Sequence, residues 1–551
     1  MKQLKNILFI VLGIFLISSC NKKIEQLQPD PNNPASVPPQ LILGTVLTDI
    51  SGTGTQGNLG GINSWDLVMG WNQYHCQNYD YYGNNIYAWA SGSFDPYLVI
   101  KNVGQMEKEV TSRGGSDVNA FEAVGRFIRA YYYYNLTSLF GDVPLTDALL
   151  APTNSTPKYT PQEQVFLYVL NQLDTANTHL AQLIAANDVS LMSTQDIYYG
   201  LNNPVVNGDG TLQLRLWQKT VNSFKLRVLV ALSNKASDGT LNVASQFAAI
   251  INNPAQYPIY ADQSEDLKFV FNPGGANTYS TYPFNPSNFG SIAQRFNMAS
   301  TYVDALTSLK DARVFVTCDP AWGLVGVDTA QPAKFQYFAG ASTGEPVQTM
   351  YSNAAVWLYS FINRYRYYSN YTGDPNVLVG YKEMCFNIAE GIERGWAAGN
   401  AETWYKAGIT ASMAFYGIDV SQPGFTAYFL PKDKNSVTQV QPYPVNFDFN
   451  AYYAQPSVTL SGTTATAINQ IVLQKYIACF ESSGYEGYYT WRRTGVPAFQ
   501  GGPGVGNNDV IPIRWAYPVT EQVQNKANWS SALSAQGFAQ DDLNQKMWLL
   551  Q

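Results

Sequence analysis

Histidine occurs only twice in this chain, at His75 and His179, so a histidine-rich metal centre or a set of histidine-based catalytic sites is excluded by count. Charge is scarce too: Asp, Glu, Lys and Arg together make up 13% of the 551 residues. The formal net charge of −7 becomes −9 once Lys2 and Lys5 leave with the leader described below. That balance argues against nucleic acid or an anionic lipid surface as the main partner. No C-x-x-C pair is present. Apart from Cys20 the cysteines are scattered at Cys76, Cys318, Cys385 and Cys479, and their spacing does not ask for disulfides. Cys385 and Cys479 fall inside apolar helical patterns, as small buried side chains do. Beyond the leader, no apolar run approaches membrane-spanning length.

What is abundant is rings. Aromatics reach 14%, with 38 Tyr and 12 Trp. A surface with few charges and many rings must be neutral, and tyrosine and tryptophan combine a flat apolar face with a polar tip. That combination suits neutral ligands bearing hydroxyl or amide groups.

The N-terminus places Lys2 and Lys5 ahead of an apolar run from Ile7 to Ile17, then Ser18, Ser19 and Cys20. Charge, a short apolar stretch and small residues before a cut site read as a signal peptide over 1–19. The arrangement resembles a bacterial lipobox, with Cys20 as the lipidated first residue of the mature chain. Residues 20–39 are polar and Pro-rich, including Asp30-Pro31-Asn32-Asn33-Pro34, and read as a tether. Residues 40–551 are expected to form one composite domain.

Within that body, apolar residues recur at alternating spacings of three and four, the mark of amphipathic helices. Asn119 to Phe140 opens on a capping box, Asn119 with Glu122, and stops at Gly141. A second helix is predicted from Thr160, with Pro161 at its first position and Glu163 completing the box. A third spans Leu214 to Ser233. Tyr381 to Trp396 and a return helix through Trp404, Gly408, Ala411 and Phe415 form a hairpin about Ala398-Gly399-Asn400, and a last helix covers Ala465 to Phe480. Between them lie long stretches with weak periodicity: 51–89, 189–210, 253–296, 318–353, 428–463 and 500–520. They are too rich in rings for a solvated coil, so ordered loops and short strands are expected, and loops of that length usually carry function.

The aromatic stretch from Trp65 to Trp89 is the first candidate. Trp71, Tyr74, Tyr79, Tyr81 and Tyr82 interleave with amides such as Asn84 and Asn85. Rings supply stacking platforms and amides both donate and accept, so such a loop can read a sugar's hydroxyls or a peptide backbone. Packing competes with binding for these rings. For Tyr79, Tyr81, Tyr82, Asn84 and Asn85 the two readings stay open, whereas Trp89 reads as core. A second loop with Tyr279 and Tyr282 and a third with Tyr367 follow. Arg492 and Arg493 read as structural, holding loops through carbonyls or buried acids. Glu390 and Glu393, beside Arg394, read as a surface ion-pair face.

A resemblance becomes visible once these parts are taken in order. Asp30-Pro31-Asn32-Asn33-Pro34, Phe127-Ile128-Arg129-Ala130 running into Leu139-Phe140-Gly141-Asp142-Val143-Pro144-Leu145, Asn387-Ile388-Ala389-Glu390 to Gly395-Trp396, Gln474-Lys475-Tyr476, Trp491-Arg492-Arg493-Thr494-Gly495-Val496-Pro497 and Ile511-Pro512-Ile513-Arg514 follow the lipobox. Together they resemble the SusD/RagB class of nutrient-binding outer-membrane lipoproteins, and within it the second SusD-like subfamily. The resemblance implies a mainly α fold, with tetratricopeptide-like helical hairpins, long ordered loops and a few short strands. It also implies a lipid-anchored, surface-exposed protein that binds an oligosaccharide or oligopeptide and delivers it to a SusC-like TonB-dependent transporter. Catalysis, a cofactor and a metal are not expected. The alternative from another class is a lipid-anchored glycoside hydrolase, which needs two carboxyl groups that sequence does not place.

Overall fold

The computed structural model describes residues 36–51, 67–81, 83–273, 282, 284–290 and 293–551. The leader, Cys20, Tyr82 and Tyr279 lie outside the described residues. Where the described chain begins, Ser36 donates to Glu109 at 2.7 Å and accepts from Arg113. Pro39 then supplies a fixed φ for the first position of helix α1, Pro39–Ile50.

The scaffold is a succession of packed helices. Helix α2 (Pro96–Ser112) sits between α1 and α3 (Ala120–Phe140), α3 packs on α4 (Gln162–Ala185), and α4 packs on α5 (Gly210–Ala231). Helix α6 (Val243–Asn252) leans on α5, which also meets α7 (Tyr381–Glu393). Helix α7 forms the expected hairpin with α8 (Ala401–Phe415), and α9 (Thr464–Ala478) and α10 (Glu486–Thr494) close the far side. Among the described residues, four antiparallel two-stranded pairs lie in or beside the long loops. The fold is thus mainly α with short strands, and one hydrophobic cluster runs from Leu43 to Leu549.

Side-chain caps open four of these ten helices. Asn119 accepts from the Glu122 N–H at 2.9 Å, Asp209 from Thr211 and Leu212, Asn400 from Thr403, and Thr463 from Thr466. The start of α4 differs from the expectation. Thr160 is tied into a short strand against Val143, so the cap position falls to Pro161, which has no side-chain donor or acceptor. Asp142 takes over that duty from afar, accepting from the Gln162 N–H at 2.8 Å.

Ionic side chains lock the helices at their centre. Arg227 of α5 donates to both oxygens of Glu383 at 2.8 and 2.5 Å and to the Leu378 carbonyl at 2.7 Å. Lys475 of α9 stands 3.2 Å from Glu486 of α10, and Tyr134 of α3 donates to that same acid at 2.7 Å. Two acids and two bases, all buried, offset charges that would each cost several kcal/mol if left unpaired. Glu390 is a correction to the sequence reading. It is not on a surface face but fully buried, held by Arg493 at 2.5 and 2.8 Å and by Arg394. Its partner on helix α10 sits about a hundred positions downstream, so helical spacing showed only Arg394. Arg492 holds the Ile513 carbonyl at 2.8 Å, in keeping with the structural reading of that pair.

Candidate functional site

Five of the residues singled out as ligand candidates lie in the core, which corrects the expectation for them. The Tyr74 ring stacks on Tyr476 at 4.6 Å and its hydroxyl donates to the Tyr476 carbonyl at 2.7 Å. Trp71 is enclosed by Tyr87, Trp89, Tyr485 and Trp515. Tyr282 lies against Phe271 and over Gly373, where a Cβ would come within 2.4 Å of its ring. Tyr367 is fully buried beside Phe480. Asn85 is buried too, and its amide clamps Gln77, accepting from its N–H at 2.8 Å and donating to its carbonyl at 3.0 Å. A ring or amide consumed in this way has no face left for a ligand.

Tyr79, Tyr81 and Asn84 remain at the surface, Tyr81 with 83% of its area exposed. Tyr79 and Tyr81 stand 6.4 Å apart between ring centres, and Tyr351 joins them 5.4 Å from Tyr79 with its plane tilted by 31°. The Arg295 guanidinium lies 4.4 Å from the centre of the Tyr79 ring, a cation–π contact that holds the ring in place. Three phenols thus form an angled platform, with the Asn84 amide close by in sequence.

The platform is supported from below. Strand His75–Gln77 pairs with Phe296–Met298, and Asn78 donates to Asn297 and to the Gln294 carbonyl, each at 2.9 Å. The Asn78 N–H donates to the Arg295 carbonyl at 3.0 Å, so the base of Tyr79 and the residue beneath its ring are joined. Met350 is fully buried in a small cluster with Cys76, Ala299 and Ala341, which seats the helix Val347–Ala355 and presents Tyr351 one position along. Tyr351 and Arg295 escaped the sequence reading. They come from segments more than two hundred residues downstream of Tyr79, and the stretch around Tyr351 carries too few inward apolar residues to show a helical period.

Burial acts on the ionisable groups beneath the platform. Burial pushes the Cys76 thiol up to about 12 against the hydrogen bond it shares with Thr343, so it stays protonated and a poor nucleophile. Glu345 is likewise raised by burial, while the Tyr359 hydroxyl donates to it at 3.0 Å. Among the described residues, no group of three or more His, Cys, Asp or Glu side chains is placed to hold a metal ion.

Comparison with known proteins agrees with this architecture. A SusD homologue from Bacteroides fragilis superposes with a TM-score of 0.74 at 27% identity, covering 94% of this chain and 100% of its own. A second SusD homologue from the same organism gives 0.71 at 29% identity, again with 94% and 100% coverage. A chitin-binding SusD homologue from Flavobacterium johnsoniae shares the fold, with a TM-score of 0.65 at 18% identity over 93% of this chain and 98% of that one. No match was found among curated proteins. The model of the second SusD-like family, described as starch-binding and associating with the outer membrane, matches residues 31–518, and the chain belongs to that family.

Proposed function

We propose that this protein is the binding subunit of an outer-membrane uptake system. Anchored through lipid on Cys20 and exposed at the cell surface, it captures a neutral oligosaccharide or an oligopeptide and passes it unaltered to a SusC-like TonB-dependent transporter. Membership of a family described as starch-binding and associating with the outer membrane supports the setting. The observation that carries the reading is the platform of Tyr79, Tyr81 and Tyr351, exposed rings held from behind rather than packed away. Three stacked rings at roughly 1 to 1.5 kcal/mol each give about 3 to 4.5 kcal/mol, comparable to millimolar binding before other contacts are counted. Weak capture suits a subunit that must release its cargo.

Calorimetry against maltoheptaose, chitohexaose and an unstructured hexapeptide tests the reading. Tyr79→Ala combined with Tyr81→Ala is expected to lower affinity about tenfold or more while leaving Tm nearly unchanged, because Tyr81 is exposed. Equal affinity in the double variant removes the platform from the account. Release of shortened products from any glycan would favour the hydrolase alternative, and co-purification with a barrel protein after gentle detergent extraction tests the partnership.

A further inference from the structure

A cleft of about 990 Å³ opens between the helix Ser300–Ser308, the segment 330–338 and the strand Gln441–Asn446. None of its lining residues belongs to the tyrosine platform, and its volume is at the upper end of the range of small-ligand sites. A chain of rings forms its wall. Phe335 lies 4.7 Å from Phe315, Phe315 is 5.3 Å from Phe338, Phe338 is 6.0 Å from Phe429, and Phe429 stacks at 5.5 Å on Tyr443. The inner three are buried and the two ends half-buried, so Phe335 and Tyr443 are backed by rigid rings. The cations of the cleft are engaged: Lys334 is paired with Asp328 at 2.6 Å, and the Lys310 ammonium lies 5.4 Å from the centre of the Phe335 ring, with Asp304 also in the lining.

The strand that borders the cleft has a one-sided hydrogen-bonding edge. Gln441–Asn446 pairs with Gly424–Phe429 in register, Tyr443 opposite Ala427 and Pro444 opposite Thr426. The ladder continues as Phe447 donates to the Pro423 carbonyl at 3.1 Å, so the odd-numbered residues face the partner strand and Pro442, Pro444 and Asn446 face outward. Two of those three outward positions have no N–H to give. The far edge of the hairpin is occupied, since Asn363 donates to the Tyr428 carbonyl at 3.0 Å and Arg364 to the Leu430 carbonyl at 3.3 Å. The open edge therefore accepts hydrogen bonds and scarcely donates them. A peptide strand laid along it would leave its own carbonyls unmet. A ligand rich in hydroxyl donors meets no such penalty, and the exposed amides of Gln336 and Asn446 supply both donors and acceptors.

We propose that this cleft is a second binding site, taking a neutral oligosaccharide between the Phe335 and Tyr443 rings and excluding extended peptides. The inference stands on the cleft alone and holds whether or not the tyrosine platform binds.

Affinity electrophoresis of the purified protein through gels carrying soluble starch, glycol chitin, xylan or β-glucan tests it. Retardation is expected in at least one gel. Tyr443→Ala, and separately Ser308→Trp, which fills the cleft from an exposed position, are each expected to weaken retention about fivefold or more. Ser308→Trp serves as the check should Tyr443→Ala disturb folding, and its Tm is expected to match the parent. Both effects should persist in a Tyr79→Ala/Tyr81→Ala background. Retention lost in that background but untouched by the two cleft variants overturns the cleft and leaves the platform standing, while the reverse pattern does the opposite. No retention in any of the four gels overturns the proposal, as does a hexapeptide whose binding to the parent is abolished by Ser308→Trp.

Discussion

At the scale of single residues, the same side-chain type takes opposite roles according to what lies across from it. Tyr74 and Tyr79 are five positions apart. One is sealed under Tyr476 and Phe480, while the other is exposed with a guanidinium against its ring. Nothing local separates them, because the covering rings arrive from some four hundred residues downstream. The deepest ion pairs follow the same logic. Arg313 and Asp311 are both fully buried; Arg313 also donates to Gln474 at 2.6 Å and to Ser412 at 2.8 Å, and Tyr452 donates to Asp311 at 2.5 Å. Arg313→Met strips the charge partner from a carboxylate that has no water to turn to. We expect a loss of about 3 to 5 kcal/mol, read from the denaturation midpoint, and a smaller loss when Asp311→Asn accompanies it. A single variant as stable as the parent would show that the buried pair contributes nothing net to stability.

At the scale of elements, small residues set how closely helices approach. Gly391 on α7 faces Phe247 of α6, and a Cβ there would stand 2.2 Å from the ring, itself packed on Trp396. Gly391→Ala is expected to cost about 1 to 3 kcal/mol through overpacking, although alanine is the better helix former. Adding Phe247→Leu should recover part of it, and a stabilised Gly391→Ala would show that the ring moves freely. The same elements mark what the sequence revealed. Helices α3, α5, α7, α8 and α9 each bury a broad stripe, so their apolar period was legible, and the Asn119 cap of α3 was legible with it. The helix Val347–Ala355 buries only Met350 and Ala354, too little to leave a period. The cap of α4 was misread because the acceptor, Asp142, belongs to another element. Rings in the loops were recognisable as a population, but their division into platform and core depended on contacts that only the assembled fold creates.

At the scale of the whole molecule, buried carboxyls of two kinds shape stability against pH. Burial pushes Asp142 up to about 6 despite the Gln162 N–H and Arg514, and Asp319 up to about 6 despite Arg364. Against an ordinary value of 3.8, the folded chain takes up these protons before the unfolded one does, so acidification from neutral pH stabilises. Burial also works on Glu390, but the charges of Arg493 and Arg394 outweigh it and hold the carboxyl down to about 2. Here the unfolded chain protonates first, near the ordinary 4.5. The stability Glu390 contributes is therefore complete above that value and drains away as pH falls toward 2. Glu383 is lowered in the same sense by Arg227 and Lys475, again against its burial. The two groups act in adjoining windows, so Tm should hold or rise from pH 7 to about 5 and then drop below about 4.5. Asp142→Asn should flatten the upper limb and Glu390→Gln the lower one, each measured by thermal melts across the range. A parent Tm that falls steadily from pH 7 downward would mean that the raised aspartates carry no weight in the folded state.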